Sequence, residues 1–282
     1  MARLRHNASM NRSSDSELPI GVFDSGVGGL TVLEAIRQSL PAENLVYLGD
    51  TARLPYGTKS PVSIERYATQ AAAKLLEQGI KLLVVACNTA SAVARETLRA
   101  RFDPLPVVGV VEPGAAAAVA ARPGGSHLVL ATEATVRLGA YGKAIRATDP
   151  SERVAEQACE LLVALDEEGW SYGDIARSVV RRYLDEADTA HPDTIILGCT
   201  HFPLLSETIG EVAGEGVRLV DSATTTATAV RRLLDAHDLH RKGEAPGFLR
   251  LLATDGATRF ARVGGHFLGR ELRAADIELV DL

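Results

Sequence analysis

The sequence predicts an α/β protein of two similar domains with mostly parallel sheets, related by a pseudo-twofold and facing each other across an interdomain cleft. Three observations carry that expectation. Short apolar runs alternate with longer stretches whose apolar residues recur at helical spacing, the pattern of a parallel sheet covered on both faces. The alternation occurs twice, with a pause at Glu112-Pro113-Gly114 between the two series. Each series also holds a run that ends in a cysteine among small polar residues: Ala86-Cys87-Asn88-Thr89 in the first, Gly198-Cys199-Thr200-His201 in the second.

The chain opens on nineteen polar residues rich in Arg, Asn and Ser. They lack the apolar core of a secretory signal and read as a disordered arm; Arg3, Arg5 and Arg12 could mimic an organelle presequence. Strands follow at Ile20-Gly21-Val22-Phe23, Leu45-Val46-Tyr47-Leu48, Leu82-Leu83-Val84-Val85 and the run from Val107 to Val111. These runs are too short for helices and rich in β-branched residues. Between them, Leu30, Leu33, Ile36 and Leu40 mark one helix face, and residues 90–101 form another helix. After an Ala-rich helix at 115–121, a second series begins at His127 to Ala131 and continues through Thr194 to Leu197, a helix at 204–212 and a strand at Val217 to Val220. A helix at 225–236 and the tail from Phe248 return to the first domain. The expected division is an arm (1–19), a first domain (20–113 plus 222–282) and a second (114–221).

At 282 residues, 46% hydrophobic and 23% charged, the chain can bury two cores. The 30 Lys and Arg against 36 Asp and Glu give a net charge of -6 with no basic stripe among aromatics, so nucleic acid is not an expected partner. Nor is a membrane, since no apolar stretch approaches the roughly 18 to 20 residues of a span. Three scattered cysteines form no disulfide framework and suit the reducing cytoplasm.

A lone cysteine after a strand is most often a small buried hydrophobe, and Cys159, with no His or Asn beside it, reads that way. Cys87 and Cys199 read differently because their surroundings match. Both end strands, where open α/β sheets bind ligands, and two thiols facing each other across a cleft could take a proton from one face of a carbon and return it to the other. A metal site of Cys87, Cys199 and His201 is the rival, but Cys199 and His201 lack zinc-ligand spacing. The loop Asp24-Ser25-Gly26-Val27-Gly28-Gly29 matches neither a dinucleotide fingerprint nor a P-loop. It suits an amino acid instead: backbone N–H groups and Ser25 for a carboxylate, Asp24 for an ammonium. In Gly49-Asp50-Thr51-Ala52-Arg53-Leu54-Pro55-Tyr56-Gly57, Pro55 and Gly57 fix the backbone so that N–H groups and the Tyr56 hydroxyl can meet a second carboxylate.

The ordered set DSGVGGLTV, YLGDTARLPYG, VACNTA, GVVEPG, ATVRLGAY, ACELLVALDEEGW, LGCTHFPLL and VDSA closely resembles the aspartate/glutamate racemase family, and within it the glutamate racemases. The resemblance runs from Ile20 to Leu282. It implies a cofactor-independent isomerase that interconverts L- and D-glutamate for peptidoglycan synthesis, with Cys87 and Cys199 as paired acid/base thiols and His201 assisting Cys199. It implies a substrate pocket of Asp24, Ser25, Pro55, Tyr56, Gly57, Asn88, Thr89, Thr132, Thr135, Thr200 and His201, with Asp50 and Glu167 as auxiliary acids, no metal, and a homodimer. The chain departs from the family pattern at Leu138, where a Ser is usual, and at Glu160 and Ala164, where prolines are usual. The alternatives are a sister racemase acting on aspartate or a hydantoin, and a silent binding protein on the same scaffold.

Overall fold

The structure, a computed structural model, describes residues 15–189, 191–243 and 245–282. Most of the expected arm lies outside the described residues. Where it is described, at 15–19, it packs rather than dangles. Ser16 is fully buried, and its carbonyl accepts a hydrogen bond from Lys81 Nζ at 2.7 Å. Lys81 is itself buried in a 2.5 Å ion pair with Glu43, and a buried ammonium requires such acceptors.

Two sheets frame the molecule. Strands β1 (Ile20–Asp24), β2 (Leu45–Gly49), β3 (Leu82–Val85) and β4 (Val107–Gly109) join β9 (Leu249–Ala253) and β10 (Ile277–Leu279) in the order β10-β9-β2-β1-β3-β4. Strands β5 (Ser126–Ala131), β6 (Arg153–Ala158), β7 (Thr194–Gly198) and β8 (Arg218–Asp221) form a second sheet in the order β6-β5-β7-β8. Every pairing is parallel. The order β2-β1-β3-β4 in one sheet is repeated as β6-β5-β7-β8 in the other, so β3 and β7, the strands that lead into Cys87 and Cys199, occupy equivalent places.

Eleven α-helices among the described residues cover these sheets. They are α1 (Leu30–Ser39), α2 (Pro61–Leu76), α3 (Asn88–Phe102), α4 (Val111–Ala121), α5 (Glu133–Leu138), α6 (Ala140–Thr148), α7 (Glu160–Glu167), α8 (Gly173–Glu186), α9 (Ser206–Ala213), α10 (Ser222–His237) and α11 (Ala257–Leu268). Local chemistry sets several boundaries. Ser60 caps α2 by accepting the Ser63 N–H at 3.3 Å, with Pro61 opening the first turn. Asp221 caps α10 through Thr224 N at 2.7 Å. The expected pause at Glu112-Pro113-Gly114 is instead the first turn of α4, where proline costs nothing because its missing N–H would have had no intrahelical partner.

Alternate residues of the central strands feed opposite cores, as a period of two requires. Val22, Tyr47 and Val84 face one side of the first sheet, Phe23, Leu48 and Val85 the other. In the second sheet Leu128 and Ile195 face one core, Val129 and Ile196 the other. Ala223, Ala227, Val230 and Leu234, one face of α10, pack into the first sheet's core, whereas Val111, Ala115 and Ala118 of α4 join the second sheet's core. In each sheet the chain leaves the central strand to one side and returns on the other, making a topological switch point between β1 and β3 and between β5 and β7. Ligands of open α/β sheets sit at the carboxyl ends of such strands. Those ends carry Asp24 and Ser25 beside Cys87, and Thr132, which follows β5, level with Cys199, which follows β7.

Candidate active site

The first wall is built on β1 and β3. Cys87 is the N-cap of α3, and its Sγ accepts the Ala90 N–H at 3.4 Å and lies 3.4 Å from Ser25 Oγ. Burial and the neighbouring Asp24 push the Cys87 thiol up to about 12, against the pull of Ser25 and Ala90, so this sulfur holds its proton. Asp24 is buried as well; Oδ2 accepts the Gly26 N–H at 2.8 Å, while Oδ1 has no partner among the described residues. Burial raises its carboxyl above the usual range, partly offset by that N–H and by His201.

The second wall is built on β5 and β7. His201 lies 3.7 Å from Cys199 Sγ through Nδ1 and 3.3 Å from Glu167 Oε1 through Nε2. Burial opposes a charged ring, yet the hydrogen bonds to Cys199 and Glu167 outweigh it and push His201 up to about 10. The bond to His201 in turn holds the Glu167 carboxyl below its ordinary value, helped by Arg259, which donates to Oε2 at 2.8 Å. Phe267 sets its ring edge-on to His201, centroids 5.1 Å apart. The two walls therefore differ in charge: a protonated thiol on one, and on the other a sulfur beside the His201–Glu167 ion pair. The sulfurs are near enough that charge on Cys199 acts on Cys87.

The walls meet through several contacts. Thr31 Oγ1 donates to the Thr200 carbonyl at 3.0 Å, and Ala134 N donates to the Gly57 carbonyl at 3.0 Å. The hydroxyls of Thr89, Thr132 and Thr135 form a triangle with sides of 2.9, 3.3 and 3.2 Å. A cavity of about 180 Å³ adjoins this region, lined by Val27, Thr51, Leu54, Glu167, Arg259 and Phe260 among others. A larger one of about 630 Å³ lies at the amino ends of the first sheet's strands, against Ile80, Lys81 and Pro106, away from both cysteines. Among the described residues no three His, Cys, Asp or Glu side chains group so as to hold a metal ion, and no helix is long and apolar enough to cross a membrane.

The family model described as Asp/Glu/Hydantoin racemase matches residues 20–230. The chain belongs to this family. A glutamate racemase of Geobacter metallireducens is 49% identical over 253 residues, covering 90% of this chain and 93% of its own. Among racemases of known structure, glutamate racemase from Thermus thermophilus in complex with β-chloro-D-alanine is 42% identical with a TM-score of 0.85, covering 95% of this chain and 98% of its own. The enzyme from Francisella tularensis in complex with D-glutamate is 35% identical with a TM-score of 0.87, over 94% and 98%.

Within this racemase scaffold one expectation needs correction. The Tyr56 hydroxyl, expected to meet a substrate carboxylate, donates instead to Asp50 Oδ2 at 2.5 Å. Asp50 also accepts Arg53 Nε at 2.7 Å and Thr254 Oγ1 at 3.0 Å and is fully buried. It braces the Pro55-Tyr56-Gly57 loop from behind, leaving that loop's backbone to face the other domain, while Pro55 itself is exposed. Sequence reasoning passed over Thr31, Tyr141, Arg259 and Phe267, which lie far along the chain from both cysteine motifs; Thr31 and Tyr141 lay inside quoted motifs, but no role was read for either. It also passed over Asp166. Buried with Oδ2 unpartnered among the described residues, Asp166 accepts Ser171 Oγ–H at 2.6 Å. Burial pushes its carboxyl up to about 7 from 3.8, against Ser171 and His201. The penalty is absent below the ordinary value, grows as pH rises toward 7, and is fully present above it. Asp166→Asn is therefore expected to raise the thermal midpoint at about pH 8, with the gain vanishing near pH 4. A variant less stable than wild type at pH 8 would count against this account.

Proposed function

We propose that this protein is a glutamate racemase that interconverts L- and D-glutamate by two-thiol acid/base chemistry without a cofactor. The observation that carries the reading is the pairing of Cys87 and Cys199 at equivalent strand ends of two like-ordered sheets, one thiol protonated and the other beside an imidazolium. The Cys199 thiolate takes the α-proton, the Cα–H electron pair stays on the substrate as an enolate-like carbanion, and the Cys87 S–H delivers its proton to the opposite face. Cys199 ends as thiol and Cys87 as thiolate, and the reverse reaction runs from that state. Asn88, Thr89, Thr200 and the loop amides supply donors for the negative charge that builds up, in a water-poor cleft where such donors are most effective. Asp24 is placed to meet the substrate ammonium. In the same reading the D-glutamate formed serves peptidoglycan synthesis in the cytoplasm, a role supported by the family relationship.

Purified protein is expected to interconvert the glutamate enantiomers with no added pyridoxal phosphate, metal or nucleotide, as followed by chiral chromatography. It is also expected to prefer glutamate to aspartate, because a site that pairs two carboxylates at the longer spacing leaves buried donors unsatisfied by the shorter acid. Activity lost to a chelator and restored by zinc would defeat the two-thiol mechanism. Equal efficiency on aspartate would favour the sister-racemase reading.

A further inference from the structure

Tyr141 touches both cysteine-bearing turns. Its ring is fully buried on α6. A Cβ added to Gly198, the residue before Cys199, would lie 3.2 Å from Tyr141 Cε2, and one added to Gly114 would lie 3.2 Å from Cε1, so these two glycines leave the slot that the ring fills. From there the hydroxyl reaches the other domain and donates to Asn88 Oδ1 at 2.6 Å, one residue beyond Cys87. Asn88 is 3% exposed, and its Nδ2 is buried with no partner among the described residues. A carboxamide can present either its oxygen or its NH₂ in a given direction, and a fixed donor on the oxygen decides which. Burial, together with the negative fields of Glu112 and Cys199, holds the phenol well above its ordinary value, so it stays a donor.

We propose that Tyr141 is a positioning residue for the racemisation: it locks the Asn88 amide so that Nδ2 is presented to the substrate carboxylate on which charge builds as Cα loses its proton. The proposal rests on the reading of this cleft as a racemase site. A buried NH₂ without a protein partner is costly and becomes satisfied when it donates to an anionic oxygen. Because that oxygen gains charge in the transition state, the lock acts more on turnover than on binding.

Tyr141→Phe keeps the ring in its slot and removes only the hydroxyl. It is expected to lower kcat/KM by about 10- to 100-fold, mostly through kcat, while in an Asn88→Ala background the same change alters kcat/KM by less than about 2-fold. A purely structural tyrosine would give additive losses. The Asn88 side-chain amide provides a readout independent of turnover: in ¹⁵N NMR of the intact protein its Nδ2 resonances are expected to form one sharp pair in wild type and to shift or broaden in Tyr141→Phe. Activity of Tyr141→Phe within 2-fold of wild type, additive losses, or unchanged Asn88 resonances would each overturn the proposal. Wild-type protein without action on glutamate would instead defeat the functional reading, and the NMR comparison would still decide the lock.

Discussion

Alanine in place of Cys87 or Cys199 abolishes racemisation, lowering turnover by about 10³-fold or more in each case, with the fold retained. Inversion needs both faces of Cα served, so a single surviving thiol cannot complete it. That thiol can still exchange the α-proton of one enantiomer with solvent, and the two variants then differ. In Cys87→Ala the remaining sulfur keeps His201, 3.7 Å away and charged through neutral pH, so exchange into heavy water persists near pH 8. In Cys199→Ala the remaining thiol is Cys87, pushed up to about 12 by burial and Asp24. Its thiolate fraction, and hence exchange, rises about tenfold per pH unit through the neutral range. Chiral analysis measures the racemisation and mass spectrometry the deuterium at Cα. Substantial racemisation by either single variant would sink the assignment, whereas Cys159→Ala retains activity, because Cys159 is buried against the second domain's core.

Gly28→Ala is the second large effect. The residue lies in the loop of the first wall but abuts the second: an added Cβ would run into Thr200 Oγ1 and lie 2.6 Å from His201 Nδ1. Thr200 can swing its hydroxyl aside. His201 has no such freedom, held between Glu167 and the edge of Phe267. The cleft must therefore open, which breaks the Thr31–Thr200 contact and separates the sulfurs, and misplacement of about 1 Å at a reacting centre can cost about 100-fold. Gly28 is not among the positive-φ glycines, so alanine adds no backbone strain. The expected result is a loss of about 100-fold or more in kcat/KM with little change in thermal midpoint. Wild-type kinetics from Gly28→Ala would mean that the cleft tolerates the wider spacing.

What was legible in the sequence was what is local. Strands β1, β3, β5 and β7 are buried on both faces, so polar residues fall only at their ends (Asp24; Ser126 and His127; Thr194) and each reads as an apolar run. Strand β6 escaped because it lies at the edge of its sheet, half-buried, with Arg153, Glu156 and Gln157 breaking the pattern. Strands β9 and β10 sat in a tail recognised only as a return to the first domain. The same distinction applies to the cleft. Cys87 with Asn88, and Cys199 with His201, are chain neighbours, so their chemistry shows in a few letters. Arg259 meets Glu167 across 92 positions, and Tyr141 meets Asn88 across 53; pairings of that kind are made by the fold and leave no spacing to read.

The six-stranded sheet also sets an order of events during synthesis. Its second strand lies between β1 and β9, with Leu45 opposite Leu249, so one of its edges stays bare until Leu249–Ala253 leave the ribosome. All four strands of the other sheet are made between Ser126 and Asp221 and can close first. The sheet whose first strands are translated first is therefore completed after the other, once β9 has docked beside β2. A nascent or truncated chain lacking β9 would expose the apolar strand Leu45–Gly49 as an open edge, the kind of template on which unfinished chains aggregate.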